Sequence, residues 1–297
     1  MVHNRSMGRW RAGTGTVRPR VVDVDLSEAA RLCSLDPVAS VLAAARIESA
    51  LAAGAVRGGS TIWGFERDGR LAALCWAGAN LVPVCPADDV EALDAFAETA
   101  LRQGRRCSSI VGDAGPVLEL WQRLRPSWGQ AREVRANQPS LVIDGPPAVR
   151  PDAAVRLGRL DDLDILLPAC VQMFVEEVGY SPLTSSPGAY EARVRSLVEE
   201  GRSFVRMEQG PTGPQVAFKA ELGAVSSAVA QVQGVWVPPH LRGRGLATQG
   251  TAAVVDKTLA TIAPVVSLYV NDYNAPAVAA YRRVGFRRVG TYATVLF

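Results

Sequence analysis

Two short stretches hold the residues best suited to chemistry. The first is Arg242-Gly243-Arg244-Gly245-Leu246-Ala247. It follows a β-rich run, residues 232–237, that ends on Pro238-Pro239. Behind it Ala252, Val255, Leu259 and Ile262 recur at helical spacing. A glycine-rich turn from strand to helix leaves backbone N–H groups uncovered, and the helix N-terminus adds partial positive charge. Gly243 and Gly245 allow close approach because no Cβ intervenes. Arg242 and Arg244 supplement the charge. Such a turn suits a pyrophosphate. The second stretch runs from Asn271 to Phe286. In it Asn274 suits an N-cap and Pro276 a first helical turn. Arg282 and Arg283 suit the negative end of that helix, and Gly285 its C-cap.

The elements that must position these stretches can be read on both sides of them. In the second half, strands are expected at 155–157, 203–208, 215–222, 229–237, 265–270 and 288–296. Helices are expected at 161–177, 187–200, 245–262 and 275–283. In the first half, strands are expected at 18–25, 60–66, 71–77, 80–84, 108–111 and 138–143. Helices there fall at 28–35, 38–53, 86–103 and 116–124. Arg67-Asp68-Gly69-Arg70 marks a hairpin, and Gly58-Gly59 and Gly210-Pro211-Thr212-Gly213 mark turns. Gly145-Pro146-Pro147, followed by Pro151, punctuates the chain strongly and reads as a linker. Both halves then follow one order: strand, two helices, antiparallel strands, helix, strand, helix, strand. That shared order suggests a duplication.

Bulk properties narrow the function. The 297 residues exceed the usual length of one compact domain, so two domains are expected. A composition 48% hydrophobic and 21% charged suits a globular chain with a full core. A net charge of +3 is too small to point to nucleic acid or an anionic membrane. The five cysteines are widely spaced with no CxxC pair, and the two histidines, His3 and His240, offer little to a metal or a Ser-His-Asp triad. No metal cofactor is expected. No apolar run is long enough to span a bilayer, and residues 1–17 read as a basic tail without a signal-peptide core. A cytoplasmic protein, monomer or homodimer, is the expectation.

The sequence from Val237 to Ala247 resembles the GNAT superfamily of N-acetyltransferases, whose main motif is Arg/Gln-x-x-Gly-x-Gly/Ala after a strand ending in Val-x-Pro. The second stretch is similar to the family's Asn-x-x-Ala-x-x-x-Tyr-x-x-x-Gly-Phe signature, here Asn274, Ala277, Tyr281, Gly285 and Phe286. The resemblance implies an α/β fold with a mixed, mostly antiparallel sheet flanked by helices. It implies acetyl-CoA as co-substrate and a primary amine of a small molecule or peptide as acceptor. Backbone groups of Val235, Trp236 and Val237 would pair with the pantetheine and polarise the thioester carbonyl. Arg242, Gly243, Arg244, Gly245, Leu246, Ala247 and Thr248 would hold the pyrophosphate, and Asn274 would contact the pantetheine arm. Tyr281 stands where the family keeps its general acid. Many members carry Glu on the strand read at 229–237, whereas this chain has Gln231 and Gln233. Glutamine takes no proton at neutral pH. Glu221, on the preceding strand, and Glu176 and Glu177, at a helix end beside the expected acceptor site, are then the carboxylate candidates for the base. Catalysis by proximity with a water chain is the further route.

The first half lacks such a loop. Its equivalent place, Val82-Pro83-Val84-Cys85-Pro86-Ala87-Asp88-Asp89, carries acids that repel phosphate. The whole resembles tandem GNAT proteins, similar in arrangement to mycothiol synthase, and closer to an actinobacterial group with a degenerate first domain. The expected division is a tail at 1–17, a degenerate GNAT-like domain at 18–144, a linker at 145–151 and an acyl-CoA-binding domain at 152–297. A CoA-binding regulatory or scaffolding protein with little turnover is the alternative.

Overall fold

The computed structural model describes residues 21–297, except 55, 57, 58, 185, 186 and 212. The basic tail expected at 1–17 lies outside the described residues, as do Gly58 and Thr212 of two expected turns.

The first half runs α1 (Leu26–Cys33), α2 (Val41–Ala53), β1 (Thr61–Arg67), β2 (Arg70–Ala77), β3 (Asn80–Val84), α3 (Val90–Gln103), β4 (Ser109–Asp113), α4 (Ala114–Trp128) and β5 (Glu133–Ile143). The second runs β6 (Arg156–Leu157), α5 (Leu163–Val178), α6 (Pro187–Glu199), β7 (Ser203–Gly210), β8 (Gly213–Val225), β9 (Val229–Trp236), α7 (Leu246–Thr261), β10 (Val265–Tyr269), α8 (Ala275–Val284) and β11 (Arg287–Leu296). The mixed sheet flanked by helices is therefore as the sequence suggests. Helix α3 starts at Val90 rather than 86 and α4 runs on to Trp128, and two strands differ more. The strand expected at 18–25 is, among its described residues, a single bridge from Val22 to Gly64. Asp25 instead caps α1, accepting from Ser27 N and Glu28 N. Strand β5 starts at Glu133 rather than at 138, because β11 pairs along its polar first residues.

All eleven strands join one sheet in the order β1-β2-β3-β4-β11-β5-β10-β9-β8-β7-β6. The order contains a reciprocal exchange. Strand β11, the last of the chain, lies between β4 and β5 of the first half. Strand β5 lies between β11 and β10 of the second half. Each half thus supplies a strand that fills a gap in the other. Alternation along β2 sends Leu74 and Trp76 toward α1 and α2, and Ala73 and Cys75 toward α3 and α4. In the second half α5 and α6 cover Val205, Val216 and Trp236, while α7 and α8 cover Phe204, Ala217 and Ala220.

Helix α2 also reaches across. Val41 packs with Ala224 and Val229. Glu48 accepts from Ser227 N at 2.7 Å and Ser227 Oγ at 2.9 Å. The Tyr292 hydroxyl, on β11, reaches the Val38 and Ala39 carbonyls at 2.8 and 2.9 Å. No described helix is long and apolar enough to cross a membrane.

The exchange makes a prediction. Residues 145–297 produced alone lack the strand that pairs along both β10 and β11. That fragment should show no cooperative thermal transition by far-ultraviolet circular dichroism, and residues 21–144 added in trans should restore one. A cooperative transition of the fragment alone would contradict this.

A candidate acyl-donor cleft

Strands β9 and β10 run parallel but pair only at Val229–Val265, Ala230–Val266 and Gln231–Ser267. Beyond these three pairs they part. Strand β10 continues against β5, with Tyr269 opposite Ser140. Strand β9 continues against β8, and there a bulge reshapes it. Glu221 faces Gln233 and Lys219 faces Trp236, so one residue of β8 opposes two of β9, Gly234 and Val235. Gly234 adopts φ +60°, a conformation that side chains disfavour. The parted edge of β9 carries Val235 and Trp236, and Val237 follows directly.

After β9 comes a short 3₁₀ turn, Pro239–Leu241, and then the loop Arg242 to Gly245. Gly243 and Gly245 both have φ +81°, and no other part of the chain lies within 4 Å of where a Cβ would stand on either. Helix α7 starts at Leu246 with Gly245 as N-cap and no side-chain cap. Its first N–H groups are therefore available to an anion. Residues Arg242 to Gly245 are exposed, Ala247 and Thr248 half-buried, and Leu246 anchors the turn in the core.

The first half offers a direct contrast. Strands β3 and β4 are also parallel and pair only at Asn80–Ser109 and Leu81–Ile110. Helix α3, however, is capped by Asp89, whose Oδ1 accepts from Ala92 N at 3.2 Å and pairs with Arg67 at 2.9 Å. The chain's own carboxylate fills the place an anion would take. The turn before α3 is also packed shut, since a Cβ on Gly115 would lie 2.6 Å from the Ala87 Cβ.

Each carboxylate candidate is held by a cation. Glu176, near the end of α5, accepts from Arg242 Nη2 at 2.6 Å and from Trp236 Nε1 at 3.2 Å. Arg242 also donates to the Val237 carbonyl at 3.0 Å. Glu177 pairs with Arg135 of β5 at 3.5 Å, and its carbonyl accepts from the same guanidinium at 3.0 Å. Glu221 is buried, with Lys219 Nζ at 2.7 Å from its Oε1. Cys170 Sγ lies 3.9 Å from that oxygen, and Gln233 Nε2 donates to the other oxygen at 3.4 Å. Burial alone would raise the Glu221 carboxyl; the Lys219 ammonium outweighs it and holds the group below its ordinary range. Burial likewise works against the Lys219 ammonium, but Glu221 outweighs it and keeps the group above its ordinary value.

Gln231 is buried. Asn274 caps α8, accepting from Ala277 N at 3.3 Å. Tyr281 is buried on α8 with its ring edge-on to Phe286 at 5.9 Å. Burial, with the charge of Glu177, pushes its hydroxyl well above the usual tyrosine range, so it is protonated at neutral pH.

Sequence reasoning missed Lys219. Its signal was present: one of two lysines in an arginine-rich chain, set two residues before Glu221 within the apolar run of β8. Among the described residues there is no cluster of three or more His, Cys, Asp or Glu arranged to hold a metal.

Comparison with known proteins agrees with this geometry. Residues 202–286 match the acetyltransferase (GNAT) family, and residues 60–166 match a domain of unknown function, DUF4081. No curated protein matches the chain. Among solved structures, a Drosophila protein is 12% identical, with a TM-score of 0.64 over 94% of this chain and 99% of that one. A GCN5-related N-acetyltransferase from Sphaerobacter thermophilus is 16% identical, with a TM-score of 0.55 over 95% and 96%. A tandem GNAT protein from the clavulanic acid biosynthesis pathway is 13% identical, with a TM-score of 0.52 over 93% and 97%. These likenesses establish the fold as two GNAT-like domains in tandem.

The buried pair gives a pH signature. The depressed Glu221 pKa contributes stability above its unfolded value, lost as pH falls through the folded pKa; the raised Lys219 pKa contributes below its unfolded value, lost as pH rises through the folded pKa. Between about pH 6 and pH 9 the contribution is flat. Glu221→Gln alone strands the ammonium and should cost about 3–5 kcal/mol in urea unfolding near pH 6, less as pH rises and the buried lysine sheds its proton. Lys219→Met/Glu221→Gln, which leaves neither charge, should shift stability by the same amount throughout the window, and a shift that varies through neutral pH would contradict a permanently ionised pair.

Proposed function

We propose that this chain, whose C-terminal half is a GNAT acetyltransferase domain, transfers an acetyl group from acetyl-CoA to a primary amine of a small molecule or peptide. The observation that carries this is the uncapped N-terminus of α7 beside the parting of β9 from β10. The loop from Arg242 to Thr248 receives the pyrophosphate on backbone N–H groups, with Arg242 and Arg244 adding charge. The pantetheine lies along the open edge of β9 at Val235, Trp236 and Val237. The side-chain amide of Asn274 meets it from the α8 side.

The uncharged amine attacks the thioester carbonyl. A tetrahedral oxyanion forms, and the backbone N–H groups past the Gly234 bulge stabilise it. Collapse releases the CoA thiolate, which takes a proton from the Tyr281 hydroxyl. The amine's own proton passes through water to the Glu176 carboxylate and on to solvent, from which Tyr281 regains its proton. Glu176 is held by Arg242, a residue of the pyrophosphate loop itself. When the pyrophosphate draws Arg242 away, Glu176 is released toward the acceptor. Glu177, on the same helix end, adds negative charge that attracts a cationic amine. Glu221, locked to Lys219, stays a carboxylate and supports the strand. The first half, with Asp89 in the anion position, takes no CoA. The site lies in the cytoplasm, where acetyl-CoA is made and used.

One observation favours a second reading. All three carboxylates are paired with cations, which suits a CoA-binding protein with little turnover. Calorimetry with acetyl-CoA and a thiol-release assay over an amine panel separate the two. Binding with thiol release supports the transferase. Binding without release from any amine supports the binding protein.

Two variants test the assignments. Gly245→Glu should abolish acetyl-CoA binding in calorimetry while circular dichroism stays native, and unchanged affinity would sink the pyrophosphate site. Tyr281→Phe should lower kcat about a hundredfold with little change in KM for acetyl-CoA. A kcat within about twofold of the parent would remove Tyr281 from the acid role.

A further inference from the structure

Lys219 and Glu221 form the one ion pair among the described residues in which both side chains are buried, with side-chain exposures of 0% and 8%. Burying two charges costs free energy that an apolar pair of similar volume does not. A reason for keeping them lies in what else they touch. Lys219 Nζ donates to the Gly234 carbonyl at 3.1 Å and contacts Met173 Sδ at 3.3 Å. A Cβ on Gly234 would stand 3.2 Å from Lys219 Nζ and 3.2 Å from the Glu221 carboxyl. Gln233, the preceding residue, donates its side-chain amide to Glu221. The pair therefore grips both residues that lead into the bulge, one by its side chain and the other by its backbone.

The peptide between Gly234 and Val235 is trans and planar. Its N–H, on Val235, points opposite to its carbonyl. The carbonyl is taken by the Lys219 ammonium, so the N–H is directed away from that ammonium, and the bulge leaves Val235 without a register partner on β8. A cation on the carbonyl oxygen also draws electron density through the amide and makes its N–H a stronger donor.

We infer that Lys219 is a positioning residue for acyl transfer: its ammonium, held by Glu221, fixes and polarises the Gly234–Val235 peptide so that the Val235 N–H donates to the thioester carbonyl of the acyl donor. The chain is Lys219 Nζ to Gly234 C=O, then through the amide to Val235 N–H, then to the substrate oxygen. No proton is transferred along it. As charge develops on the thioester oxygen, the fixed ammonium on the far side of the same peptide stabilises it. This role rests on the donor assignment proposed above, and it explains the retention of a buried pair that the proton transfers do not use.

The test is the carbonyl stretch of [1-13C]acetyl-CoA bound to the full chain without acceptor, read by infrared difference spectroscopy, beside calorimetric affinity. The parent protein should bind acetyl-CoA and lower the stretch below that of the free thioester. Lys219→Met/Glu221→Gln removes both charges together, and Gly234→Ala displaces the same peptide without removing a charge. In either folded variant the band should return toward its free position while affinity changes less than about threefold. With an amine that turns over, kcat should fall about tenfold or more at nearly constant KM for acetyl-CoA. A band that stays lowered in a folded variant overturns the role of Lys219. Binding by the parent with no lowering overturns it too and leaves the donor assignment standing. No binding by the parent overturns the donor assignment and this inference with it.

Discussion

Opening a sheet between two parallel strands is the constraint on which this structure depends. Where β9 and β10 part, N–H and C=O groups on both strands lose their partners. Neither strand holds its course unless something grips its outer side. Strand β8 grips β9 through a bulge stiffened by a buried ion pair. Strand β5 grips β10, and β5 comes from the other half of the chain. The first half is thus a structural part of the cleft even though its own turn is closed by the Asp89 cap. Glu177, at the end of α5, is tied to the same strand through Arg135.

The two halves show how one architecture takes opposite charge logic. Each has a parallel strand pair that opens and a helix that starts behind it. At α7 the N-cap is a glycine with left-handed backbone, which leaves the first N–H groups free and adds no negative charge. At α3 the N-cap is Asp89, which accepts from one of those groups, Ala92 N, and takes Arg67 as counter-ion. An N-cap carboxylate stabilises its helix and repels an anionic ligand by the same field. The N-cap residue type, with the packing of the turn, thus sets whether the first N–H groups of the helix are open or taken.

Much of this was legible in the sequence. The run from Arg242 to Ala247 declared its loop because glycine spacing, preceding strand and following helix agree. Asn274, Pro276 and Gly285 declared α8 through local capping chemistry, and Asp88-Asp89 declared the closed turn of the first half. What stayed hidden depends on distant partners. The polar start of β5, Glu133 to Asn137, looks like a loop until β11 pairs with it. The exchange of β5 and β11 is a choice among strand partners more than a hundred residues apart in sequence, and alternation alone does not encode it. The Glu176–Arg242 and Lys219–Gly234 contacts likewise join elements that only the folded sheet brings together.

The central claim is that one cleft, between β9 and β10 with the start of α7, takes the acyl donor, and that its counterpart in the first half does not. Amide hydrogen exchange with and without CoA tests this most directly. The account predicts slowed exchange in peptides covering residues 232–248 on adding CoA, and unchanged exchange in peptides covering residues 80–92. Protection at residues 80–92, or none at residues 232–248 under saturating CoA, would contradict it.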